Sequence, residues 1–246
     1  MNRRAEALEA LYQRYNKRCY VHPDPLECVY PYKRLEDREV AAFIAASLAY
    51  GNVRQILKSV STALSKMGNS PFDYLQSGDR TDFYQDYAGF VHRFATGRHV
   101  AAMLCGVKRL IDRYGSLYEA FKSGSAASDA NYLPALKRFT DKLRDLSPES
   151  PGHLVAAPEK GSACKRLNLF LRWMIRCDDV DPGGWHSLSA ARLIVPLDVH
   201  MHRACCNLNF SARKQANMKT AVEITAGFAA IAPHDPVRYD FVLTRP

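Results

Sequence analysis

Asp198 stands where a carboxylate is easily given a fixed direction, in the run Pro196-Leu197-Asp198-Val199-His200-Met201-His202-Arg203-Ala204. Proline sets the entry to a turn, and an Asp shortly after it is a preferred helix N-cap that accepts from the first free backbone N–H groups. Such a cap contributes about 1 kcal/mol in ordinary proteins, so a structural role alone is sufficient reason for it. The same stretch leads into His200, His202, Cys205 and Cys206, residue types that bind zinc. On a helix, His202 and Cys206 share a face at i,i+4 while His200 points elsewhere, so no metal is expected. The alternative is a pair of small cysteines beside a surface histidine. Upstream, Lys165 opens a basic run with Arg166, Arg172 and Arg176, side chains suited to phosphate contacts. Between these two segments, Asp178 to His186 is a turn-rich loop that carries Trp185 and His186 after two glycines. An aromatic there can stack on an extruded nucleobase or anchor the loop to the core. Trp173, inside the basic helix, reads as core.

The elements that must position these groups read as helices throughout. Leu8, Leu11, Tyr12 and Tyr15 fall at helical spacing, as do Val40, Phe43, Ile44 and Leu48 behind the acidic start Glu36-Asp37. Gly51 ends the second helix, and Asn52 caps a third that Gly68 closes, an antiparallel pair. A long helix is expected from about His99 to Tyr114, then a short one over Ser116 to Phe121. Ser123 to Asn131 is the most linker-like stretch. Further helices are expected over Tyr132–Leu146, Ser162–Arg176, Asp198–Leu208, Asn217–Ile231 and Val237–Arg245, with no convincing hairpin anywhere. The expected class is all-α, as one unit (1–246) of two interlocked helical lobes that change over near 115–130.

Composition narrows the function. The chain has 246 residues, 47% of them hydrophobic, enough for a full core. Thirty-four Lys and Arg against 25 Asp and Glu give a formal charge of +9, which favours a polyanionic partner such as nucleic acid. Seven cysteines, an odd number without a repeated CxxC, suit reduced thiols. No run of eighteen apolar residues is present, so no membrane span is expected. Met1-Asn2-Arg3-Arg4 runs straight into an amphipathic helix without the apolar stretch of a signal peptide, which points to the cytoplasm.

The nine residues around Asp198 closely resemble the segment that carries the catalytic aspartate in the helix-hairpin-helix base-excision DNA glycosylases, the endonuclease III and 8-oxoguanine glycosylase superfamily. The resemblance implies a two-lobed fold of that kind, with Asp198 as the catalytic acid. It also places Leu154 to Lys165 where the superfamily keeps its phosphate-binding hairpin. Pro158 and Gly161 match, but Glu159 stands in place of the first glycine, so the hairpin is degenerate or bent to keep that carboxylate away, with Lys160 as a partial offset. In bifunctional members a lysine of the second hairpin helix attacks the sugar C1′. Strict register puts Ala163 there; Lys165, 33 residues before Asp198, is the candidate nucleophile on the longer spacing of the archaeal 8-oxoguanine branch. A phosphate-contacting or surface lysine is the alternative.

Phe43 to Val53 resembles the helix and turn that supply the superfamily's gap-filling wedge, which brings Tyr50 and Asn52 into that turn; a helix-closing tyrosine and an ordinary N-cap are the alternatives. The resemblance implies DNA as partner, bound through Lys160, Gly161, Arg166, Arg203, Arg213 and Lys214, with Trp185 and His186 as further base-pocket candidates. The four-cysteine iron–sulfur cluster of many relatives is not expected, since no cysteine follows Cys206. No other cofactor is implied, and a monomer is expected. Together with Tyr20-Val21-His22-Pro23-Asp24-Pro25-Leu26, Arg38 to Gly51 and Lys165 to Met174, the Asp198 segment also looks like one particular bacterial family of about this length, similar to the glycosylases at the fold level. The expected function is therefore a DNA base-excision glycosylase, with or without lyase activity. The alternatives are a DNA-binding repair accessory without chemistry and a metal-dependent hydrolase built on the His200 group.

Overall fold

The computed structural model describes residues 3–245, apart from the side chain of Lys160. Its regular structure is almost wholly α-helical and divides into two compact units. The first comprises Met1–His22, Ser128–Leu133 and Pro158–Pro246; the second comprises Pro23–Ala127 and Pro134–Ala157.

In the second unit, helices α2 (Leu35–Ser47), α3 (Val53–Ser65), α4 (Pro71–Ser77), α5 (Arg80–Asp86), α6 (Gly97–Tyr114), α7 (Leu117–Lys122) and α8 (Leu133–Leu146, of which all but Leu133 belongs here) enclose one core. Helix α2 is its axis. It is buried from Glu39 to Ser47, which explains its near-continuous apolar run in place of a striped face. Its two buried carboxylates are spent on other helices. Asp37 accepts from Ser70 Oγ (2.6 Å) and Phe72 N (3.0 Å) at the start of α4, and Glu39 accepts from Leu117 N (2.9 Å) and Tyr118 N (3.3 Å) at the start of α7. Free N–H groups at a helix start carry partial positive charge, so they compensate each carboxylate. Gly97, the first residue of α6, lies so close to Tyr87 that an added Cβ would sit 1.6 Å from its carbonyl oxygen.

Where no hairpin was expected, Val91–His92 (β1) pairs with Ala95–Thr96 (β2) around a two-residue loop, Arg93-Phe94. Strands of two residues leave no alternation to read, and Arg-Phe is not the Asn-Gly such loops favour.

The first unit holds α1 (Arg3–Tyr15), α9 (Lys165–Ile175), α10 (Val199–Asn207) and α11 (Met218–Ala229). The helix expected over Val237–Arg245 is instead a series of turns ending in a 3₁₀ turn at Val242–Thr244. Tertiary ties outrank local propensity there. Asp240 reaches Arg172, Arg238 pairs with Glu9 at 2.8 Å, and Tyr239 donates to Glu9 at 3.2 Å. The phosphate-binding reading of Arg172 and Arg176 is also corrected, because both guanidiniums are buried. Arg172 meets Asp181 (3.0 Å) and Asp240 (2.5 Å), while Arg176 meets Asp178 (2.7 Å), Asp235 (3.0 Å) and Asp181. Nothing in the basic run itself revealed those partners, since they arrive from the following loop and from the last dozen residues.

Candidate functional site

Asp198 ends the buried strap Leu193 to Leu197, which is tied to α11 by Val195 N donating to Thr225 Oγ1 at 3.0 Å. Its carboxylate caps α10, with Oδ1 accepting from His200 N and Met201 N, both at 2.9 Å. The second oxygen is left to face Lys165 from the first turn of α9. Lys165 Nζ and Asp198 Oδ2 lie 2.7 Å apart, with side chains 36% and 27% exposed. Burial pushes the Asp198 carboxyl upward, but the Lys165 ammonium and the two cap N–H groups outweigh it and leave the pKa below the ordinary carboxylate range. An ionised carboxylate, held in two directions and still reachable from solvent, is thus paired with a primary amine.

The pair continues inward along one face of α9. Lys165, Asn168, Arg172 and Arg176 recur at helical spacing, and Asn168, itself buried, donates to Ala163 O at 3.1 Å. Asp240, buried, has its carboxyl raised by burial against the pull of Arg172; it also feels Asp198 and Lys165. Sequence reasoning missed Asp240, which lies in the stretch read as a terminal helix. Its only signal was the count of acidic residues that an interior arginine requires.

Helix α9 is entered from two turns. Pro158–Lys160 is a 3₁₀ turn, and the element before it is another, Gly152–Leu154, in place of an α-helix. Gly161 is exposed with φ +77°, its carbonyl accepts from Met218 N (3.2 Å), and Ser162 bridges Asn217. Cys164 then adopts the left-handed conformation (φ 47°, ψ 37°) immediately before Lys165, with its thiol 3.4 Å from Ser162 Oγ. The Lys160 side chain lies outside the described residues.

Of the other basic candidates in this unit, Arg166 is half-buried, while Arg203 on α10, Arg213 and Lys214 are exposed. Arg213 pairs with Glu223. His186 is exposed, but the neighbouring Trp185 has no exposed surface: its ring meets Phe170 edge-on at 5.2 Å and its backbone N–H donates to Met174 O at 2.9 Å. Trp185 anchors the loop and offers no face to a base. His202 Nε2 lies 2.8 Å from the Arg213 carbonyl and 3.5 Å from Cys206 Sγ, while His200 is exposed. Among the described residues, no three His, Cys, Asp or Glu side chains are gathered to hold a metal ion, and the described cysteines are free thiols.

Tyr50 and Asn52 belong to the second unit. Asn52 is exposed and caps α3 by accepting from Arg54 N at 3.0 Å. Tyr50 donates to the His92 carbonyl at 2.9 Å, and its ring lies 4.6 Å from that of His92 and 4.9 Å from that of His153. Both residues thus do structural work at the turn where the wedge was expected.

No helix among the described residues is long and apolar enough to cross a membrane. No curated protein and no solved structure matches the chain. A family described as "protein of unknown function (DUF2400)" matches residues 24–246, which carry the Asp198–Lys165 pair and both helices that hold it, and the chain belongs to that family.

Proposed function

We propose that the protein binds DNA and cleaves the N-glycosidic bond of a damaged base, with Asp198 and Lys165 acting on the same sugar carbon. The observation that carries this reading is the 2.7 Å contact between Lys165 Nζ and Asp198 Oδ2, made by residues 33 positions apart that the resemblance to glycosylases had named independently. Cleavage of such a bond passes through an oxocarbenium-like transition state, and a preorganised anion beside C1′ stabilises it far more in a water-poor site than in bulk. Asp198 is kept ionised for that role by its cap and its cation.

Lys165 as a charged ammonium is not a nucleophile. It must first lose a proton, which the Asp198 carboxylate can relay to the departing base, so that Asp198 is ionised again as positive charge develops at C1′. The neutral amine then forms the Nζ–C1′ bond as the C1′–N bond breaks, the bonding pair leaving with the base, which takes up a proton. Opening of the sugar gives a Schiff base. Without attack by Lys165, the same carboxylate serves by activating water, and no covalent intermediate forms.

A second reading is favoured by the completeness of the pair itself. A carboxylate with two N–H donors and an ammonium is already satisfied, as a structural cap would be, and a protein that reads DNA without chemistry needs no more. Base release from lesion-containing duplexes separates the two, and borohydride trapping on the same duplexes shows whether release proceeds through Lys165. A covalent adduct that forms with wild type and not with Lys165→Gln supports the lyase form. Binding across a salt series tests what both readings share, since affinity should fall steeply as counterions compete for the phosphates. No binding at low salt sinks both.

A further inference from the structure

In the second unit, the most exposed large apolar side chains lie on the β1–β2 hairpin: Phe94 at its tip is 72% exposed and Val91 is 69% exposed. The hairpin beneath them is tied to α3 and to Tyr50 by hydrogen bonds. His92, buried, places Nδ1 2.9 Å from Ser59 Oγ on α3 and Nε2 3.1 Å from the Tyr50 carbonyl, while its own carbonyl accepts from Tyr50. The loop residue beside Phe94 is Arg93, held at φ +53° where glycine or asparagine would be unstrained. Its guanidinium lies 5.5 Å from the Phe94 ring, its side chain covers Gly51, and it makes no ion pair among the described residues. Arg54, at the start of α3, is a second exposed cation beside the same turn. A strained arginine and an exposed aromatic in a loop of two, on a base fixed by three hydrogen bonds, cost stability that folding does not require.

We infer that the Arg93-Phe94 tip is a stacking platform for an unstacked nucleobase of a DNA strand, Phe94 meeting the base face and Arg93 the adjoining phosphate. The inference rests on the nucleic-acid reading of the preceding section and adds a substrate preference, for strands with unpaired or gapped bases. Every base has a π-face, so stacking of this kind is tolerant of sequence, while the net charge of +9 and the arginine make a polyanion the fitting partner. Because the hydrogen bonds of His92 already hold the base of the hairpin, less backbone entropy is lost on contact than in a free loop.

The test is fluorescence anisotropy with a single-stranded oligonucleotide that carries 2-aminopurine, run beside an intact duplex. Phe94→Ala should bind the single strand about tenfold more weakly and the duplex with unchanged affinity and salt slope, and Phe94→Trp should restore single-strand binding. Arg93→Gly should weaken single-strand binding yet raise the melting temperature, by about 2 °C, as the left-handed strain is relieved. Unchanged single-strand binding by Phe94→Ala, with base release by the wild type intact, removes the platform and leaves the glycosylase reading standing. Tip-dependent binding by a protein that releases no base supports the platform and strikes the glycosylase reading alone. A melting temperature that falls in Arg93→Gly overturns the argument from strain, and self-association abolished by Phe94→Ala overturns it in favour of a second copy of the chain.

Discussion

Arg172→Ala removes the guanidinium that donates to Asp181 at 3.0 Å and to Asp240 at 2.5 Å, all three groups being buried. Asp181 keeps Arg176, but Asp240 loses its ion-pair partner. Breaking a buried pair from one side costs about 3–5 kcal/mol, because the other charge stays behind in a medium that cannot solvate it. That is a large share of a total stability of roughly 5–15 kcal/mol. Burial already raises the Asp240 carboxyl against the pull of Arg172, so its removal raises the folded-state pKa further. A carboxyl whose folded pKa lies above its unfolded value favours the protonated folded form; the penalty grows as pH rises through the folded pKa and recedes as pH falls. Urea unfolding followed by circular dichroism at pH 5 and pH 8 reads both effects. The deficit should be several kcal/mol at pH 8 and smaller at pH 5 by at least about 1 kcal/mol, the worth of roughly one pKa unit. Asp240→Asn in the Arg172→Ala background should recover part of it. A deficit under about 1 kcal/mol, or one equal at both pH values, refutes the reasoning.

The Asp198 carboxyl shows the opposite sign: its folded pKa is lowered, so its contribution is complete above the ordinary carboxylate range and is lost as pH falls through it. Asp198→Asn should therefore cost about 1 kcal/mol or less at neutral pH and show a flatter loss of stability in acid than wild type, checked by melting temperature against pH. Gly97→Ala should be far more damaging than its single methyl suggests, because the new Cβ meets the Tyr87 backbone and not a movable side chain; thermal melting should show a large fall or no folded protein. Arg203, exposed on α10, should contribute one phosphate contact, and Arg203→Ala should lower the slope of log affinity against log salt by about one.

The longer helices were legible because their stripes and stops are local, whereas α4 and α5, of seven residues each, are too short to show a stripe. Asn52, Asp198 and Gly115 sit where capping chemistry requires them, and α6 ends at Gly115 with φ +89°. What escaped was set by contacts distant in sequence. Val237 to Arg245 has helical spacing but gives its side chains to Glu9 and Arg172. Arg172 and Arg176 look like phosphate ligands until Asp178, Asp181, Asp235 and Asp240 are seen around them. Trp185 after two glycines was compatible with a stacking face and with a loop anchor, and its contact with Phe170 is that of the anchor. Lys165 and Asp198 could be connected beforehand only through the resemblance to the glycosylases, because no periodicity relates residues separated by a loop and a buried strap. The hairpin was invisible for want of length, and with it the exposed Phe94.

Base release from duplexes carrying oxidised, alkylated and deaminated lesions, measured for wild type and for Asp198→Asn under conditions where both bind DNA, tests the central claim most directly. The account predicts that wild type frees a base from at least one duplex and that Asp198→Asn binds the same duplex with turnover reduced by at least about a hundredfold, the scale on which a preorganised charge acts on a transition state. Wild-type protein that binds every duplex and frees no base, with Asp198→Asn altering only stability, would contradict it and leave Asp198 as the cap of α10.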